Sequence, residues 1–109
     1  MSVVSFKFTN VVAICDFEYS KFVDELGEHV KCELSLSRNV DPDLFRRVVN
    51  YLARLYGRDV DRHVMFSVGE NVELKIYSDV LKYGLSFYDI VEKFCLLLDF
   101  LLWIESSNR

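Results

Sequence analysis

Three residues near the middle of the chain have the spacing of a metal-binding fragment. Asp59, Asp61 and His63 alternate, and an extended backbone would aim all three side chains to one side. Three such ligands in one loop ahead of a strand pair are more simply read as solvated, so no metal is assigned to them. His29 lies three residues before Cys32. On a strand that offset places the two on opposite faces, which argues against a Cys–His nucleophile pair. Asp24, Glu25 and Glu28 could supply paired carboxylates, but they read as the wet side of a short amphipathic segment. Asp99 is a lone acid in an apolar run; burial would raise its pKa, and pairing with an arginine or an edge position is the simpler expectation. None of the patterns GxSxG, GxxxxGKS, GxGxxG, HExxH or CxxC occurs. The expectation is a non-enzymatic chain with no catalytic residue, no cofactor and no evident small-molecule substrate.

The elements that position these residues follow from periodicity. Val4, Phe6 and Phe8 alternate with Ser5, Lys7 and Thr9, and the stretch from Val3 to Cys15 reads as one long strand. From Val11 onward both of its faces turn apolar. Tyr19, Phe22, Val23 and Leu26 have helical spacing ahead of Gly27, which suggests a short helix. Val30, Cys32, Leu34 and Leu36 alternate with polar residues and predict a strand with one wet face. Asp41-Pro42-Asp43 is a strong helix start, with Asp41 as cap and Pro42 in the first turn. That helix runs to about Tyr56, before Gly57. His63–Val68 and Val72–Tyr77 read as a hairpin around Gly69-Glu70-Asn71. Ser86 and Asp89 resemble a capping box opening a last helix from about Phe87 to Glu105. The expected fold is a single α+β domain over residues 1–109. It has one mainly antiparallel sheet of about four strands and two main helices on one face, in the order β, short α, β, α, β-hairpin, α.

Composition narrows the function classes. The 109 residues are 51% hydrophobic and 28% charged, enough apolar matter for a core and too much for a disordered chain. Three cysteines at wide spacing, an odd number, read as buried small hydrophobes in a reducing compartment rather than a disulfide scaffold. With an N-terminal MSVVSFKF that does not resemble a targeting segment, the expected location is cytoplasmic. The absence of glutamine and the preference for arginine suit a thermophile or its virus.

Net charge is −4, which disfavours whole-chain binding to a polyanion. The charge is unevenly spread. Arg38, Arg46, Arg47, Arg54, Arg58 and Arg62 fall in one window with four acids, so that window carries a formal +2. Arg46, Arg47 and Arg54 share the outer arc of the middle helix, with Arg58 following. They form a candidate face for an anionic partner, with nucleic acid as the alternative function.

The last helix carries the strongest signal. Ten of the eleven residues from Phe94 to Ile104 are apolar, Asp99 being the exception. A surface helix should show water one polar side. The stripe opened by Asp89, Glu92 and Lys93 continues through Leu96, Asp99, Phe100 and Trp103. A membrane span needs about 20 apolar residues, so membrane insertion is not expected. The helix is therefore either wrapped by its own domain or docked on another chain. The second alternative is favoured, with Leu96, Phe100 and Trp103 as interface and a homodimer as the simplest assembly.

The ten residues from Phe8 to Phe17 resemble the opening of one repeat of the TATA-box-binding proteins. The DNA-contacting aromatic wedges of that family have no counterpart in the chain, and the resemblance implies no function for it.

Overall fold

A computed structural model describes residues 2–57 and 59–107. Its elements are β1 (Val3–Lys7), β2 (Val11–Asp16), β3 (Phe22–Asp24), β4 (Gly27–Leu36), α1 (Pro42–Tyr56), β5 (Val64–Val68), β6 (Val72–Tyr77) and α2 (Phe87–Ser107). Short 3₁₀ turns precede β5 and follow β6. The fold is α+β, with one antiparallel sheet in the order β1-β2-β4-β6-β5, and β3 pairs with the first residues of β4. Both helices lie on one face of the sheet. The other face is open.

The sheet has six strands rather than about four, and two features account for the difference. The apolar alternation that reads as one strand over residues 3–15 is broken at Thr9-Asn10. There the chain reverses and the Phe8 N–H bonds the Val11 carbonyl at 2.8 Å. The turn is held from outside, since Asp99 of α2 accepts the Asn10 N–H at 2.6 Å. A contact 89 residues away in sequence therefore decides where a strand ends.

The short helix expected before Gly27 is absent. Phe22–Asp24 is a strand paired with Gly27–His29, closed by a tip at Glu25-Leu26. Tyr19, Val23 and Leu26 are exposed, so the apolar face that a helix would have offered has nothing to pack against. Gly27 sits at φ +115°, where a side chain would be strained, and opens β4 instead of ending a helix.

Elsewhere local chemistry and structure agree. The Asp41 carboxylate accepts from the Asp43 N–H at 2.9 Å, Pro42 opens α1, and Gly57 closes it at φ +61° with its N–H on the Ala53 carbonyl. Ser86 caps α2 through the Asp89 N–H. The core is the helix-side row of the sheet (Val11, Ala13, Cys15, Val30, Cys32, Leu34, Leu74 and Ile76) under the buried sides of α1 and α2. Phe45 ties the layers together, its ring 5.4 Å from Phe66 below and 6.5 Å from Phe94 on α2. On the open face Ile14 is exposed. The double-sided apolar stretch of β2 is thus covered on one side only.

The cysteines do not all behave as small hydrophobes. The antiparallel register of β2 and β4 sets Cys15 opposite Cys32, and the two sulfurs are bonded at 2.17 Å. Seventeen residues of sequence separation become adjacency through strand pairing, which removes the cysteine argument for a reducing compartment. Cys95 is free and buried in α2. Burial pushes its thiol up to about 12, and the nearby Asp99 charge adds to the shift. It stays protonated and unreactive near neutral pH. Denatured without reductant, the chain should titrate as one thiol, and after reduction as three. Three thiols before reduction would show the Cys15–Cys32 pair to be open. Among the described residues no helix is long and apolar enough to cross a membrane.

Candidate interaction surface

Helix α2 has two different sides. Ile90, Val91, Phe94, Cys95, Leu98 and Leu102 are buried. On the outer side Leu96, Phe100 and Trp103 are 46%, 54% and 58% exposed. At 3.6 residues per turn their spacing makes one stripe. The Phe100 and Trp103 rings stack with centroids 6.3 Å apart. The fold thus brings together the three residues singled out from the sequence and leaves them uncovered by their own domain.

The stripe is held rigidly at its flanks. Asp99 grips the β1–β2 turn through the Asn10 N–H, with a backbone group in place of the expected arginine or edge position. Tyr88 packs on Phe6 of β1, ring centroids 4.8 Å apart. At the C-terminal end Arg38 reaches the Leu102 carbonyl at 3.3 Å and Glu105 at 2.7 Å. That contact places a cation near the negative end of the helix dipole.

The arginine group is divided by the fold. Arg38 belongs to the end of α2. Arg46 pairs with Asp43 one turn away at 2.7 Å, both exposed, a contact worth little. Arg47 and Arg54 are exposed on α1 and have no ion pair among the described residues. Arg62 lies in the 3₁₀ turn Val60–Arg62. Arg58 lies outside the described residues. Tyr51 and Leu55 of α1 are exposed as well. Tyr51 falls one turn from both Arg47 and Arg54.

The remaining candidates are scattered. Asp59, Asp61 and His63 do not form an extended row, because residues 60–62 are a 3₁₀ turn. His63 faces Asp79, with Nδ1 3.9 Å from Oδ2. Among the described residues no group of three His, Cys, Asp or Glu side chains is placed to hold a metal ion.

One cluster escaped the sequence reading. Tyr77 donates to Asp24 at 2.7 Å, Lys75 lies 3.5 Å from the same carboxylate, and the Leu26 N–H bonds its other oxygen at 2.8 Å. Buried His29 stands beside them, its ring 4.9 Å from Tyr77 and its Nδ1 3.1 Å from the Gly27 carbonyl. These contacts latch the β3–β4 tip over the open face. The Tyr77 hydrogen bond is the main cause holding the Asp24 carboxyl below its ordinary value, with the Leu26 N–H and the charges of His29 and Lys75 assisting. Burial, then the Asp24 contact, pushes the Tyr77 phenol far up. A carboxyl so depressed favours the folded tip above the ordinary carboxylate range, and the benefit is lost as pH falls through its folded value. Tyr77→Phe should return Asp24 upward towards 3.8, read by the side-chain carboxyl shift in an NMR titration. An unmoved titration would mean that the hydroxyl does not hold the latch. The sequence signal was thin: Asp24 and Tyr77 are 53 residues apart.

No family model matches the chain, and no curated protein or solved structure matches it.

Proposed function

We propose that this protein is a non-catalytic interaction module that associates with a second copy of itself through the outer stripe of α2. One observation carries the reading: Leu96, Phe100 and Trp103 form a continuous exposed apolar stripe on a helix whose other side is locked into the core. Aromatic residues of this kind are typical interface anchors. A helix that pairs with its own copy about a twofold axis needs no second complementary surface. Antiparallel pairing centred between Leu96 and Phe100 brings Lys93 against the partner's Trp103, where a cation over the indole ring is favourable.

Light scattering after size exclusion, at low and high salt, tests this. A salt-independent mass of twice 12.8 kDa is the expected result. A monomer across the accessible concentration range overturns self-association.

A second reading has its own observation. Arg47, Tyr51 and Arg54 form an exposed basic and aromatic strip on α1, the chemistry of a nucleic-acid contact. It predicts a salt-sensitive gel shift that is lost in the Arg47→Glu, Arg54→Glu double variant. The net charge of −4 places it second.

A further inference from the structure

Besides the short strand β3, the main path of the sheet ends at two edge strands, β1 and β5, and they are defended differently. Proteins blunt an exposed edge strand with charge, proline or a covering element. At the β1 edge the Phe17 N–H bonds the Ser2 carbonyl. By antiparallel alternation the backbone groups of Val3, Ser5 and Lys7 then point outward, and Lys7 supplies the charge. At the β5 edge the Tyr77 N–H bonds the His63 carbonyl at 2.9 Å and the Gly69 N–H bonds Asn71. Together with the register Met65↔Lys75 and Ser67↔Glu73, this turns Met65 and Ser67 towards β6. Val64, Phe66 and Val68 therefore present their N–H and C=O groups outward. The strand reads VMFSV and carries neither charge nor proline.

The β5 edge is also flanked by two concave surfaces. On the helix side a groove of about 400 Å³ runs between α1 and β5, lined by Val49, Val64 and Phe66 together with Arg46, Asn50 and Asp61. On the open face a second groove, of about 370 Å³, lies between β5–β6 and the latched β3–β4 tip, walled by Met65, Ser67, Glu73, Lys75, Glu25 and Leu26. An added strand sends alternate side chains to opposite faces, so both grooves would be filled by one extended segment. Charge selects what fills the second. Asp24 is already paired with Lys75, while Glu25 and Glu73 have no cation among the described residues. Ser67 stands directly across from Glu73. A long basic side chain beside Ser67 can cross that small residue to reach the carboxylate.

We propose that the β5 edge is a strand-addition site for an extended segment of another protein, with apolar side chains towards α1 alternating with basic ones towards Glu73. This surface is separate from the α2 stripe and does not depend on it. A second copy pairing β5 with β5 would offer Met65 and Ser67 to the acidic groove, which is the weaker complement.

The test uses the full chain, labelled with ¹⁵N, and two seven-residue peptides, one alternating valine with lysine and one alternating valine with glutamate. The lysine peptide should slow hydrogen exchange at the Val64, Phe66 and Val68 amides. It should bind about tenfold tighter than the glutamate peptide, the scale of a few exposed charge contacts reversed in sign. Glu73→Gln should shrink that preference severalfold while retaining binding. Val68→Pro removes an outward N–H without touching the β5–β6 ladder and should weaken both peptides. The proposal is overturned by unchanged exchange at these amides with either peptide, or by equal affinity for the two. Protection that grows with protein concentration in the absence of peptide also overturns it, by naming a second copy as the occupant.

Discussion

Phe94→Ala should lower stability by about 3–5 kcal/mol, the usual cost of emptying a buried aromatic site. Phe94 is fully buried, with its ring 6.5 Å from Phe45, and Phe45 in turn lies on Phe66 of the sheet. Truncation at this point removes one of the aromatic contacts between the two helices. Because α1 and α2 are both capped and anchored at their ends, the cavity has little freedom to collapse. A domain of this size holds only about 5–15 kcal/mol in total, so the loss is a large fraction of its stability. Urea denaturation should show the midpoint falling by about 2–3 M. A fall below about 0.5 M would mean that the inner side of α2 is not core.

Trp103→Glu, nine residues along the same helix, should do the reverse. Its side chain is 58% exposed, so the variant should keep its fold, with stability in dilute solution within about 0.5 kcal/mol of the parent. Association should weaken by about 2–4 kcal/mol, the range of an aromatic anchor replaced in an apolar interface, or about 30- to 1,000-fold in dissociation constant. Light scattering across a dilution series measures the second quantity and urea denaturation the first, both at matched protein concentration because dimer stability depends on it. A variant that unfolds would assign Trp103 to the domain's own core. A variant that remains a dimer would move the interface elsewhere. Read together, the Phe94 and Trp103 variants separate the two uses of one helix.

The two proposed surfaces lie at different ends of the sheet. Helix α2 sits over β1 and β2, through Tyr88 on Phe6 and Asp99 on the β1–β2 turn. The open edge is β5, under α1. Occupation of one leaves the other accessible, the arrangement expected of an adaptor that pairs with itself and captures an extended segment.

Several features were determined by the sequence alone because their causes are local. The cap, proline and terminal glycine of α1 act within one or two turns, and its limits could be read from Asp41 to Gly57. The β5–β6 hairpin follows from alternation and a three-residue loop. The apolar stripe of α2 is a matter of helical period, so Leu96, Phe100 and Trp103 could be named before any packing was known. Tertiary structure decided the rest, because the deciding contacts are remote in the chain. The split of the first strand depends on Asp99 gripping Asn10, 89 residues away. The segment before Gly27 has helical spacing, but Tyr19, Val23 and Leu26 are left exposed, and pairing with β4, the Phe22–His29 stack and the Asp24–Tyr77 latch hold it as a strand instead. The Cys15–Cys32 bond exists because antiparallel register sets those two residues opposite each other, which cysteine spacing cannot reveal. The unguarded β5 edge likewise became visible only once strand order placed β5 outermost: periodicity tells which face of a strand is apolar, whereas only the assembled sheet tells which strand has no neighbour.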